Sequence, residues 1–186
     1  MPPAALRLDD GRTIHLTGSI DRIDVTADGR LHVIDHKTGR SDRYRAEVTA
    51  DDPVAGGTRL QLPVYGLAAR QMMGDPAAPV RVAYSFPTST GGFTEVGIDL
   101  DDGVLARFRA VVTEIVDGIE GGVFVARPEP GTRPWVACSS CDPDGLGTGD
   151  RRQEWERKRH DATLHRYAAL VEPGAPEPTA VPAEVG

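Results

Sequence analysis

The sequence predicts an α/β fold, and three observations predict it. Two alternating stretches near the start are broken by Asp-Gly turns, a helical segment covers 60–74, and a second strand pair is followed by a long amphipathic stripe at 104–120. The chain has 186 residues, 39% hydrophobic and 26% charged, enough for one domain with appendages and a core that needs no disulfide staples. It contains neither an apolar run long enough to span a bilayer nor a secretory leader pattern, so a soluble cytoplasmic protein with no membrane partner is expected.

The first strands are ALRL and TIHLTGSIDRIDV, joined through Asp9, Asp10 and Gly11, and RLHVIDHK follows a second turn at Ala27, Asp28 and Gly29. Together they read as a three-stranded antiparallel meander over 5–37. Next comes TGRSDRYRAEVTADDPVAGGTRL, a polar loop too long to be an idle connection. LQLPVYGLAARQMMG is a helix, with Pro63 tolerated near its first turn and Gly74 at its stop. Thr58 and Gln61 match a capping box, but that start would push Pro63 past the first turn, so the box is discounted.

PVRVAYSF and FTEVGIDL form a hairpin. The helix after it aligns Val104, Leu105, Phe108, Val111, Val112, Ile115, Val116 and Ile119 along one face, a core stripe. The expected domains are a core over 1–128, a Cys-containing loop with a helical segment over 129–171, and a tail over 172–186 too poor in large apolar groups to order itself.

The turn at 27–29 decides where the charged residues go. A two-residue Asp28-Gly29 loop would pair Asp21 with His36 and send Asp35 to the other face. A three-residue loop, with Gly29 left-handed, pairs Asp21 with Asp35, Ile23 with Val33 and Val25 with Leu31, so that Ser19, Asp21, Asp35 and Lys37 cluster beside an apolar patch. Two opposed carboxylates repel unless a cation lies between them. Oxygen donors from Asp21, Asp35 and the main-chain carbonyl of His36 suit Mg2+ or Mn2+. Such an ion activates water against a phosphoryl group, with Lys37 either positioning or deprotonating that water or stabilising the developing charge. Alone, the Asp-x-Lys strand end reads as a salt bridge, and it is Asp21 in register that turns the reading toward catalysis.

Taken in order, GSIDRID, then VIDHKTG, then QLPVY resemble the RecB-like branch of the PD-(D/E)XK nuclease family, of the restriction-endonuclease-like superfamily. The matching residues are Gly18, Asp21, Arg22 and Asp24; Asp35, Lys37, Thr38 and Gly39; Gln61 and Tyr65. The resemblance implies a mixed central β-sheet flanked by helices and metal-dependent cleavage of DNA. It gives Asp21 and Asp35 to the metal, Lys37 to catalysis, and Gln61 with Tyr65 to the wall near the DNA. A Mg2+-dependent exonuclease of repair or recombination, beside a helicase or other recombination protein, is expected from it. Members of the branch carry a helix before the first strand that often adds a metal ligand. This chain begins on a strand and His15 does not match that position, so the N-terminal helix is expected to be missing and the chain to be a fragment or reduced form.

A catalytically inactive DNA-binding or assembly module on the same fold stays open as the alternative. The pair Cys138 and Cys141 could supply two ligands of a second metal site, but an intact [4Fe-4S] cluster is not expected from this chain alone. Zinc held with His160 and His165 would need a spacing longer than a finger's. Against the net charge of -7, the run with Arg151, Arg152, Arg157, Lys158, Arg159 and Arg166 is either a solvated helix face or a DNA contact.

Overall fold

The structure, a computed structural model, describes residues 3–49, 51–125, 127 and 151–172. It divides into two compact units, residues 1–113 and 114–186. The first holds all six strands: β1 (Ala4–Arg7), β2 (Thr13–Leu16), β3 (Arg22–Val25), β4 (Leu31–His36), β5 (Val80–Phe86) and β6 (Thr94–Asp99).

β1 and β2 form a separate antiparallel pair, and the other four make a mixed sheet in the order β3-β4-β5-β6. β4 and β5 run parallel, and the remaining neighbours are antiparallel. The parallel step requires a crossover, and α2 (Gln61–Met73) supplies it. Before it lies a short helix, α1 (Asp42–Glu47), and after the sheet comes α3 (Asp102–Glu120). This is the mixed central sheet with flanking helices that the family resemblance implies.

The expected meander is interrupted. Instead of one strand over TIHLTGSIDRIDV, pairing stops at Leu16 and resumes at Arg22, and residues 17–21 belong to no strand. The break lets β2 stay with β1 while β3 joins the larger sheet. The 38–60 stretch is also more ordered than its polarity suggests, with α1 and a 3-10 turn at Ala55–Gly57 inside it and Val54 fully buried.

The register of the second hairpin is the one that a three-residue loop dictates: Arg22 opposite Ile34, Ile23 opposite Val33, Val25 opposite Leu31. Thr26 and Arg30 close the loop, with Thr26 N–H donating to Arg30 O at 2.9 Å and Gly29 N–H to Thr26 O at 2.9 Å. Gly29 has φ +83, a conformation glycine adopts without a Cβ clash. The apolar patch is smaller than expected, since Val25 is 57% exposed while Leu31 and Val33 are buried.

Leu31, Val33, Val80, Val82, Tyr84, Phe86, Val96 and Ile98 line one face of the sheet and pack with Leu62, Tyr65 and Ala69 of α2 and Leu105 of α3. Gly66 allows the close approach of α2, because a Cβ there would meet Val82 Cγ1 at 2.9 Å and Leu100 Cδ2 at 2.8 Å. At the other end of α2, the Gln71 amide brackets Ala5, accepting from its N–H at 2.9 Å and donating to its carbonyl at 2.7 Å. That amide anchors β1 to the core. Helix α2 ends on Gly74 at φ +68. The stripe of α3 is buried at Leu105, Phe108, Val111 and Val112, whereas Ile119 is exposed.

The second unit contains α4 (Arg151–Lys158) and α5 (His165–Val171). Trp155 is buried there and donates from Nε1 to Glu172 Oε1 at 3.0 Å, and Arg159 pairs with the other oxygen of Glu172 at 2.7 Å. Arg166 pairs with Glu114 at 2.5 Å and Lys158 with Glu154 at 3.7 Å. Three basic residues of that run therefore already have acidic partners. Cys138 and Cys141, and the expected tail beyond Glu172, lie outside the described residues. Among the described residues no helix is long and apolar enough to cross a membrane.

Candidate active site

β4, one of the two interior strands of the sheet, carries the charged end of the site. Its alternation places Leu31, Val33 and Asp35 toward the helix-covered face, and the carboxylate arrives there with the residue only 4% exposed. A buried carboxylate is costly unless it is paired and hydrogen-bonded. Lys37 provides the charge, its Nζ 2.6 Å from Asp35 Oδ2, and Gln61 Nε2 donates to Asp35 Oδ1 at 2.9 Å. The ammonium approaches Oδ2 outside hydrogen-bonding directions, so that oxygen is buried with an ion-pair neighbour and no hydrogen bond.

Lys37 is itself held. Its N–H donates to Ser85 O at 2.8 Å, its Nζ donates to Gln61 Oε1 at 3.2 Å, and the ammonium lies 5.3 Å from the ring centre of Tyr84. Tyr84 stands opposite Asp35 in the parallel ladder. Burial pushes its phenol well above the usual range, the nearby Asp35 carboxylate adds to that rise, and Arg59 opposes it. The ring is therefore a neutral wall.

Gln61 begins α2 behind Leu60, which gives no side-chain cap, and it caps nothing itself. All its polar atoms serve the site: Oε1 faces Lys37, while Nε2 faces Asp35 and the Tyr65 hydroxyl, the latter at 2.7 Å. Only one amide orientation works, because an ammonium can only donate and a carboxylate only accept. Tyr65, one helical turn on and buried, holds the far side of the amide.

Asp21 lies just before β3, one step beyond Arg22 opposite Ile34, which is the position across from Asp35 if the register continues. Its Oδ2 accepts from His36 N–H at 2.8 Å, so its carboxylate is fixed against the end of β4. The structure thus joins Asp35, Lys37, Gln61 and Tyr65 in one network and ties Asp21 to the adjacent residue. Arg22 and Asp24, by contrast, pair with each other at 2.8 Å on the surface. Ser19 is exposed.

The donor set fits a hard divalent cation. It offers carboxylate oxygens from Asp21 and Asp35, one of them buried without a hydrogen bond. Among the described residues no three His, Cys, Asp or Glu side chains gather into a cluster, so main-chain oxygen and water would complete the shell.

Sequence reasoning did not find Tyr84, Tyr44, Glu47 or Arg59. Tyr44 of α1 meets Tyr84 edge-on at 4.8 Å and Phe86 at 5.1 Å, and the Arg59 guanidinium lies 4.3 Å over the Tyr44 ring. Arg59 Nε donates to Glu47 Oε2 at 2.7 Å, and Arg43 binds the same carboxylate. Burial works against charge on Glu47, but the hydrogen bonds from Arg43 and Arg59 outweigh it and lower its pKa. The parallel pairing of β4 with β5 was the missing signal for Tyr84, and aromatic and charged residues at helical spacing in the 42–47 segment were the available one for Tyr44.

Comparison with known proteins gives the family. The model of the PD-(D/E)XK nuclease superfamily matches residues 2–144. A 50-residue stretch is 50% identical to one component of the ATP-dependent helicase/deoxyribonuclease of Acetivibrio thermocellus, covering 25% of this chain and 4% of that protein. No solved structure gives a significant match.

Proposed function

The chain belongs to the PD-(D/E)XK nuclease superfamily, and from that premise we propose that it is a divalent-metal-dependent deoxyribonuclease that hydrolyses phosphodiester bonds at Asp35 and Lys37. The observation that carries the reading is the buried Asp35 carboxylate held between Lys37 and Gln61, with Asp21 fixed on the neighbouring residue. Asp21 and Asp35, with the main-chain carbonyl of His36, would hold Mg2+ or Mn2+, which supplies Lewis-acid polarisation of the phosphoryl group and an acidified water.

The protein's own groups do the rest. Lys37 presents a fixed positive charge to the phosphoryl oxygens as they gain charge. Gln61 sets the ammonium and the carboxylate at one spacing, and Tyr65 sets Gln61. Exonucleolytic action on DNA in repair or recombination, in the cytoplasm and beside a helicase, extends the proposal. Its support is the likeness to a component of a helicase/deoxyribonuclease.

The test is cleavage of end-labelled linear single- and double-stranded DNA with Mg2+ or Mn2+. Asp35→Ala and Lys37→Ala are each expected to lower the rate by about a thousandfold or more, several kcal/mol of transition-state stabilisation, with the fold retained by circular dichroism. Product ladders report exonucleolytic or internal cutting. Undiminished cleavage in Asp35→Ala would refute the assignment. Metal-independent DNA binding without cleavage by the unaltered chain would instead favour a non-catalytic module.

A further inference from the structure

The site's hydrogen bonds account for Asp35, Lys37, Gln61 and Tyr65, but a second cation stands beside them with no catalytic task. Arg59 lies two residues before Gln61, and a chain of ring contacts connects it to the site: Lys37 over Tyr84, Tyr84 edge-on to Tyr44, Tyr44 under Arg59. Its guanidinium is fixed twice, by the Tyr44 ring below and by Glu47 at Nε. Among the described residues its terminal nitrogens Nη1 and Nη2 make no hydrogen bond, and the side chain is 22% exposed. A guanidinium presents a planar fork of donors suited to bidentate recognition of phosphate. Here only the Nε corner is taken by the carboxylate.

We propose that Arg59 is a phosphate-binding residue of this nuclease, gripping the nucleic-acid backbone at a phosphate flanking the scissile one, with Tyr44 and Glu47 as the frame that orients it. The inference rests on the nuclease reading and assigns part of its substrate contact. A purely structural role would require only the bond to Glu47. Glu47 already has Arg43 as a partner, and among the described residues the Nη edge of the guanidinium over Tyr44 has no hydrogen-bond partner. The chain's overall acidity makes such a fixed cation informative, because a net charge of -7 gives no general attraction for DNA.

The experiment measures binding of labelled single-stranded and duplex oligonucleotides to the full chain by fluorescence anisotropy, in chelator and across a salt series, beside cleavage in Mg2+. Each phosphate contact contributes about 0.9 to the slope of log affinity against log salt for duplex and about 0.7 for single strands. Arg59→Gln is expected to remove one such increment and to weaken binding equally across sequences. Arg59→Lys is expected to keep the slope while binding less tightly, since it retains the charge and loses the planar fork. An unchanged slope in Arg59→Gln, with the unaltered chain binding and cleaving DNA, would overturn this assignment and leave the nuclease reading intact. If the unaltered chain neither binds nor cleaves DNA, both fall together.

Discussion

The β1–β2 and β3–β4 hairpins of the first unit share one turn and serve different ends. In each, a three-residue loop ends in Asp-Gly, the glycine is left-handed (φ +91 at Gly11, +83 at Gly29), and the same two main-chain bonds close it: Leu8 N–H to Arg12 O and Gly11 N–H to Leu8 O in the first, Thr26 N–H to Arg30 O and Gly29 N–H to Thr26 O in the second. Each middle aspartate receives local hydrogen bonds, Asp10 from Arg12 and Asp28 from Thr26 and Arg30. Counting outward from the closing pair, the places held by Asp21 and Asp35 in the second hairpin fall on Pro3 and Thr17 in the first.

The surroundings differ as well. β2 pairs only with β1, whereas β4 lies between β3 and β5 and is buried along most of its length. A turn fixes register, but an interior strand is needed to desolvate a carboxylate and hold a lysine against it.

Shortening each loop by one residue gives the largest expected separation between the hairpins. Because β5 holds β4 in place, deleting Ala27 should slide β3 and turn its side chains over, removing Asp21 from His36. Cleavage is expected to fall below detection. Deleting Asp9 should lower the melting temperature while leaving the activity of the folded fraction unchanged, and equal activity losses in the two deletions would erase the distinction.

Gly11→Ala and Gly29→Ala provide a gentler version. Each places a Cβ at positive φ, at a cost of roughly 1–2 kcal/mol, so denaturant midpoints should drop similarly. Only Gly29→Ala should also slow cleavage at temperatures where both variants are folded.

The smallest effect concerns the turn aspartates. Hydrogen bonds from Thr26 and Arg30 lower the Asp28 pKa below 3.8, and those from Arg12 do the same for Asp10. With the folded-state pKa depressed, the stabilisation is complete above the ordinary value and disappears as the pH falls through the lower one. Melting curves in acid should therefore show a slight extra loss of stability that Asp10→Asn and Asp28→Asn each reduce. A stability that rises on acidification through this range would contradict the sign.

Much of this was legible along the chain. The Asp28-Gly29 turn narrowed the second hairpin to two registers, of which the one that opposes the acids is observed, and Gln61 with Tyr65 one helical turn apart gave a shared face, because both depend on local backbone geometry. The polarity of residues 38–60 hid α1 and the aromatic cluster, since the half-buried Tyr44 packs edge-on against residues about 40 positions away in sequence. The unbroken alternation through 13–25 hid the gap at 17–21, as each half satisfies strand periodicity whichever sheet it joins.

By itself the sequence determined the turns, the periodicities and therefore which residues can share a face, for these follow from dihedral preferences and side-chain spacing within a few residues. Only the tertiary structure decided that β4 lies inside a sheet beside β5, that Tyr84 walls Lys37, and that Arg59 stands over Tyr44. Those contacts arise from the burial of distant apolar segments against one another, and no local pattern encodes which segments will meet.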